Sequence, residues 1–83
     1  MINKHGLRLF GAYKPILAII AATSPSDALA TYNSEVAASV EGTRMVEFDG
    51  SEASLLWETG DGTNVLTQFG NVSTTCVILT CMF

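Results

Sequence analysis

The sequence predicts an all-β fold: a small antiparallel β-meander of about five strands in residues 31–83, preceded by a distinct N-terminal segment in residues 1–30. Three observations carry that expectation. Turn signals punctuate the second part at short, regular intervals, apolar residues alternate between them, and the charge divides sharply near residue 30. At 83 residues the chain has room for one domain at most.

The N-terminal segment comes first. It holds Lys4, Arg8 and Lys14 against Asp27 alone, a net charge of +2. Residues 31–83 hold Arg44 against seven carboxylates, a net charge of −6. After the basic stretch comes the apolar run Pro15-Ile16-Leu17-Ala18-Ile19-Ile20-Ala21-Ala22, and then the polar stretch Thr23-Ser24-Pro25-Ser26-Asp27. The pattern Ala28-Leu29-Ala30 closes the segment. Basic, apolar and small-x-small parts in that order are the layout of a secretory signal peptide, with Ala28 and Ala30 at the two subsites that admit only short side chains. Cleavage after Ala30 would release Thr31 to Phe83. The same residues also suit a retained arm, helical if ordered, that packs on a partner.

The strands follow. Val36, Ala38 and Val40 alternate with Glu35, Ser39 and Glu41, although Ala37 and Ala38 with Val36 and Val40 also suit a helix over residues 32–41. Arg44, Val46 and Phe48 share one face of the next segment, and Ala53, Leu55 and Trp57 one face of the third. Val65, Thr67 and Phe69 share a face of the fourth. A period of two is what a half-buried strand requires. The turns between are Glu41-Gly42, Asp49-Gly50, Gly60-Asp61-Gly62-Thr63 and Gly70-Asn71. Asp-Gly is a strong hairpin signal because primed turns need positive φ. The last segment loses its alternation from Cys76 onward, since Cys76-Val77-Ile78-Leu79 is apolar at every position. Such a strand is covered on both faces, by its own layers or by another subunit.

Cys76 and Cys81 are the only cysteines; they suit two reduced, buried thiols acting as small hydrophobes, a disulfide within or between chains, or another modification. In a regular strand, five steps of about 3.3 Å separate them by about 17 Å, and their side chains point to opposite faces. A disulfide needs α-carbons within about 7 Å. An intrachain bond therefore demands a bend near Leu79-Thr80, and a bond between chains does not.

The composition argues against catalysis and cofactors. The single histidine, His5, lies in the N-terminal segment, and residues 31–83 contain neither His nor Lys. No Ser-His or Cys-His pair can be assembled there, and two thiols fall short of a structural zinc site. Gly60-Asp61-Gly62 lacks the Lys and Ser/Thr context of a phosphate loop. We therefore expect no enzymatic activity, no cofactor and no metal. A net charge of −4 opposes nucleic-acid binding, and no apolar run approaches the roughly 18 residues of a membrane span.

Charged residues make up 14% of the chain, whereas nine Thr and seven Ser supply uncharged polarity. Charge normally keeps small domains apart, so its scarcity points to surfaces that become covered. The expected function is a non-enzymatic structural or interaction protein, exported or on a surface, that forms homo-oligomers or packs on a protein partner. The expected assembly strand carries Val77, Ile78, Leu79 and Phe83. A virion protein with an uncleaved arm is one alternative. The other is the precursor of a ribosomally made, modified peptide with its core in residues 73–83. Those last residues loosely resemble lanthipeptide cores in Ser, Thr and Cys content, which implies thioether rings at Cys76 and Cys81.

Overall fold

A computed structural model describes residues 1–81. Four strands form one antiparallel sheet in the order β3-β1-β2-β4, and helices cover both of its faces. The strands are β1 (Arg8–Ala12), β2 (Leu17–Ala22), β3 (Val46–Glu47) and β4 (Cys76–Cys81). The helices are α1 (Pro25–Glu35), a short 3-10 helix (Ala53–Leu56) and α2 (Val65–Asn71).

The all-β expectation is thus half right. The antiparallel sheet is present, but it has four strands and shares the chain with helices. Among the described residues, the expected meander of residues 31–83 supplies only β3 and β4. The N-terminal segment, expected to be helical if ordered, forms the two central strands, and only its last six residues enter α1. All six residues of β2 are buried. A strand covered on both faces is apolar at every position, and in sequence that looks the same as the apolar part of a signal.

Alternation sorts the sheet's side chains into two cores. Leu9, Ile19 and Ala21 project toward α2 and the 3-10 helix, where they meet Phe48, Leu55, Val65 and Phe69. Phe10, Ala12, Ala18, Ile20 and Ala22 project toward α1, where they meet Ala28 and Tyr32. Tyr32 is fully buried, and its hydroxyl satisfies both polar groups of one residue. It accepts from the Ile16 N–H at 2.8 Å and donates to the Ile16 carbonyl at 2.6 Å, which ties α1 to the start of β2.

The helices replace strand expectations for local reasons. Ser24 caps α1, its hydroxyl accepting from the Asp27 N–H at 3.1 Å, and Pro25 occupies a first-turn position where its missing N–H is not needed. The stretch Thr23-Ser24-Pro25-Ser26-Asp27, taken as a polar flank in the signal reading, is therefore a helix start. Asn64 likewise caps α2 by accepting from Leu66 N–H at 2.9 Å. Val65 and Phe69 are four apart and both buried, as one helix face requires. At the other end, Asn3 Nδ2 donates to the carbonyls of Phe69 and Val72 at 2.8 and 2.9 Å. The N-terminal turn thus satisfies carbonyls that the end of α2 leaves free.

Three of the four expected turns are turns: Gly42, Gly50 and Gly62 all have positive φ. Gly70-Asn71 instead completes α2.

Candidate functional site

The two edges of the sheet differ. The β3 edge is two residues long, and its Glu47 carboxylate is paired with the Arg8 guanidinium. The β4 edge is six residues long, and among the described residues β4 pairs only with β2. Its sequence, Cys-Val-Ile-Leu-Thr-Cys, carries no charge and no proline, the residues that usually block edge-to-edge pairing. This strand is the one expected to mediate assembly. Val77, Ile78 and Leu79 lie in it, each partly buried, and Phe83 lies outside the described residues. Its apolar faces are covered from within the chain: Val77 packs on the α1 side, and Cys76, Ile78 and Leu79 on the α2 side.

A bulge changes what this strand presents. Leu79 pairs with Ile19 and Val77 with Ile20, so Ile78 is an extra residue. Ile78 and Leu79 therefore both face α2. Beyond the bulge, Cys81 pairs with Leu17, while Cys76 pairs with Ala21. Leu17 and Ala21 are an even number apart in β2, so both cysteines stand on the same face of the sheet. The expectation of opposite faces is corrected by this one inserted residue. Four steps along β2 still keep the two about 13 Å apart, beyond any intrachain disulfide, and both are free thiols. Burial, with the Glu35 carboxylate adding to it, pushes the Cys76 thiol up.

Beside the strand, Trp57, Glu58, Leu79, Thr80 and Cys81 line an open cleft of about 290 Å³. Alternation places Trp57, like Phe48 and Phe69 in their own segments, on an apolar strand face that a core is expected to cover. Those two are buried, but Trp57 is 37% exposed on the cleft wall and Leu56 beside it is 79% exposed. The extended backbone at Trp57 ends the 3-10 helix and turns the indole outward. Alternation alone placed it on the wrong side.

The other sequence-predicted residues are scattered. Ala28 is fully buried in α1, against the sheet, and Ala30 is exposed on the same helix. Position 30 falls within α1 rather than at its edge. The segment expected as a modified-peptide core supplies β4, whose ladder to β2 would have to open to release it. His5 is exposed in the N-terminal turn. Among the described residues, no three His, Cys, Asp or Glu side chains converge as metal ligands, and no helix is long and apolar enough to cross a membrane.

Carboxylates anchor the connections that hold β4 in place. Asp27 Oδ2 accepts from Thr75 Oγ1 at 2.6 Å, joining the start of α1 to the residue before β4. That bond, with two from Thr23, holds the Asp27 carboxyl below its ordinary value. Arg8 lowers Glu47, the Ser51 hydroxyl lowers Asp49, and the Thr59 hydroxyl lowers Asp61 to about 2. A carboxyl lowered in the fold stabilises it above the unfolded value, and that contribution disappears as pH falls through the folded value. Urea midpoints should therefore be flat between about pH 5 and pH 8 and decline from about pH 4 toward pH 2. A midpoint that stays constant down to pH 2 would show that these bonds contribute nothing.

The chain matches no protein-family model, no curated protein and no solved structure with which it was compared.

Proposed function

We propose that the chain is a non-enzymatic assembly protein that pairs with a second copy of itself through the outer edge of β4. The observation that carries this reading is the contrast between the two edges, one short and charge-paired, the other six residues long and uncharged. Strand addition at such an edge satisfies backbone groups that a lone subunit leaves to water. The exposed Trp57, which lines the cleft with Leu79, Thr80 and Cys81, offers apolar area at the rim of the same edge. An exported, surface or virion setting fits a module of this kind, and its site is the same in each.

Sedimentation of the full chain in reducing buffer tests the reading. Dimers or larger species are expected at micromolar to millimolar concentration. Thr80 is exposed, so Thr80→Lys should leave the subunit folded while placing an ammonium on the pairing edge. Association should weaken by about two orders of magnitude, equivalent to roughly 3 kcal/mol for burying an unpaired charge. A wild-type chain that is folded and strictly monomeric at millimolar concentration overturns the reading.

A further inference from the structure

We propose that two copies paired through β4 become joined by two symmetric disulfides, each between Cys76 of one copy and Cys81 of the other. The inference rests on the edge-pairing reading above and adds to it a register and a redox state.

The register follows from the bulge. Two antiparallel strands related by a two-fold axis oppose residues whose numbers have a constant sum, and directly opposed side chains share a face. In a regular strand, residues five apart lie on opposite faces and are never opposed in this way. Here the faces run, from Cys76 to Cys81, α2 side, α1 side, α2 side, α2 side, α1 side, α2 side. That order reads identically in both directions. A two-fold axis between Ile78 and Leu79 therefore opposes Cys76 with Cys81, Val77 with Thr80 and Ile78 with Leu79, each pair on a common face. Opposed α-carbons in an antiparallel pair are about 4.5–5.5 Å apart, inside the range a disulfide spans. Both thiols are free and partly exposed.

The chemistry is exchange with a low-molecular-weight disulfide. The Cys81 thiolate, in the open cleft, attacks one sulfur of oxidised glutathione and expels a glutathione thiolate. The Cys76 thiolate of the other copy then attacks the Cys81 sulfur, forms the bond between chains and expels the second glutathione. Two thiols lose two electrons and two protons, and one glutathione disulfide becomes two thiols.

The full chain incubated with oxidised glutathione should run as a covalent dimer on a non-reducing gel. Chymotrypsin cuts at Leu79, between the cysteines, and peptide masses should show Cys76 linked to Cys81. Cys76→Ser and Cys81→Ser should each abolish the covalent dimer, because neither cysteine opposes itself. Mixing the two single variants should restore it through one bond, which excludes misfolding as the cause of the losses. A Cys81–Cys81 link that survives in Cys76→Ser overturns the inference. So does a reduced chain that sediments as a dimer yet yields no Cys76–Cys81 link. A reduced chain that sediments as a monomer overturns the edge-pairing reading itself.

Discussion

A chain beginning at Thr31 should not fold. Residues 1–30 supply β1 and β2, the two central strands, and eleven of the sixteen buried apolar side chains among the described residues. What remains is the rest of α1, the 3-10 helix, α2 and two strands that pair only with the missing ones. Phe48, Leu55, Val65 and Phe69 would have no sheet to pack on. The loss far exceeds the roughly 5–15 kcal/mol by which domains are stable. We expect the truncated chain to show a disordered far-UV spectrum and no cooperative urea transition, beside a full chain that unfolds in one step. A truncated chain with a sharp transition would sink this prediction. The result also bears on export. Cleavage after Ala30 and a folded product cannot both hold if the prediction is right. Terminal sequencing of the natural protein then distinguishes a chain that keeps these strands from one that begins at Thr31.

Phe48→Ala should be the most damaging single truncation on the α2 side. Phe48 is 1% exposed and lies in one core cluster with Leu9, Ile19, Leu55 and Val65. Deleting a buried phenyl ring costs about 3–5 kcal/mol. For a domain this small, that corresponds to a fall in Tm of roughly 15–30 °C. The converse change should hurt for the complementary reason. A Cβ placed on Gly11 would lie 2.5 Å from both Cε1 and Cζ of Phe48, so the ring and the bare backbone of β1 fit one another. Gly11→Ala should cost about 1–3 kcal/mol by overpacking. Combined with Phe48→Leu, which vacates the ring edge, it should cost less than the two changes summed. Urea denaturation of the four proteins of the cycle, with Phe48→Ala beside them, reads out both effects. A loss below about 1 kcal/mol for Phe48→Ala, or strict additivity in the pair, would show that the contact is not tight.

These two regions also mark what the sequence conveyed well and what it concealed. The glycine turns at Gly42, Gly50 and Gly62 were legible because positive φ has a residue-specific signature. The doubly covered character of β4 was legible because no position from Cys76 to Leu79 is polar. The same logic applied to Leu17–Ala22 pointed to a signal, since a run of six apolar residues fits a buried strand and a signal equally well. The cue that favoured the fold was downstream, in Ser24-Pro25 as a helix start. Val65 to Phe69 satisfied a period of two and a spacing of four together, and Asn64 decided between them as a cap. The extra residue at Ile78 left no trace in the sequence, because a bulge arises from the register of two strands rather than from either alone.

The position of β4 in the chain has a temporal consequence. Each of its paired residues meets a β2 partner at least fifty-five positions earlier. During synthesis, β1 and β2 can form their hairpin early, and α1 can dock soon afterwards. One flank of β2 then stays bare until the ribosome has delivered the whole intervening sequence. Closing so large a loop is slow, and an apolar strand with an unsatisfied flank is prone to pair with whatever strand is nearest. Translation rate through residues 36–75 thus sets how long each nascent molecule is exposed to its neighbours on the same message.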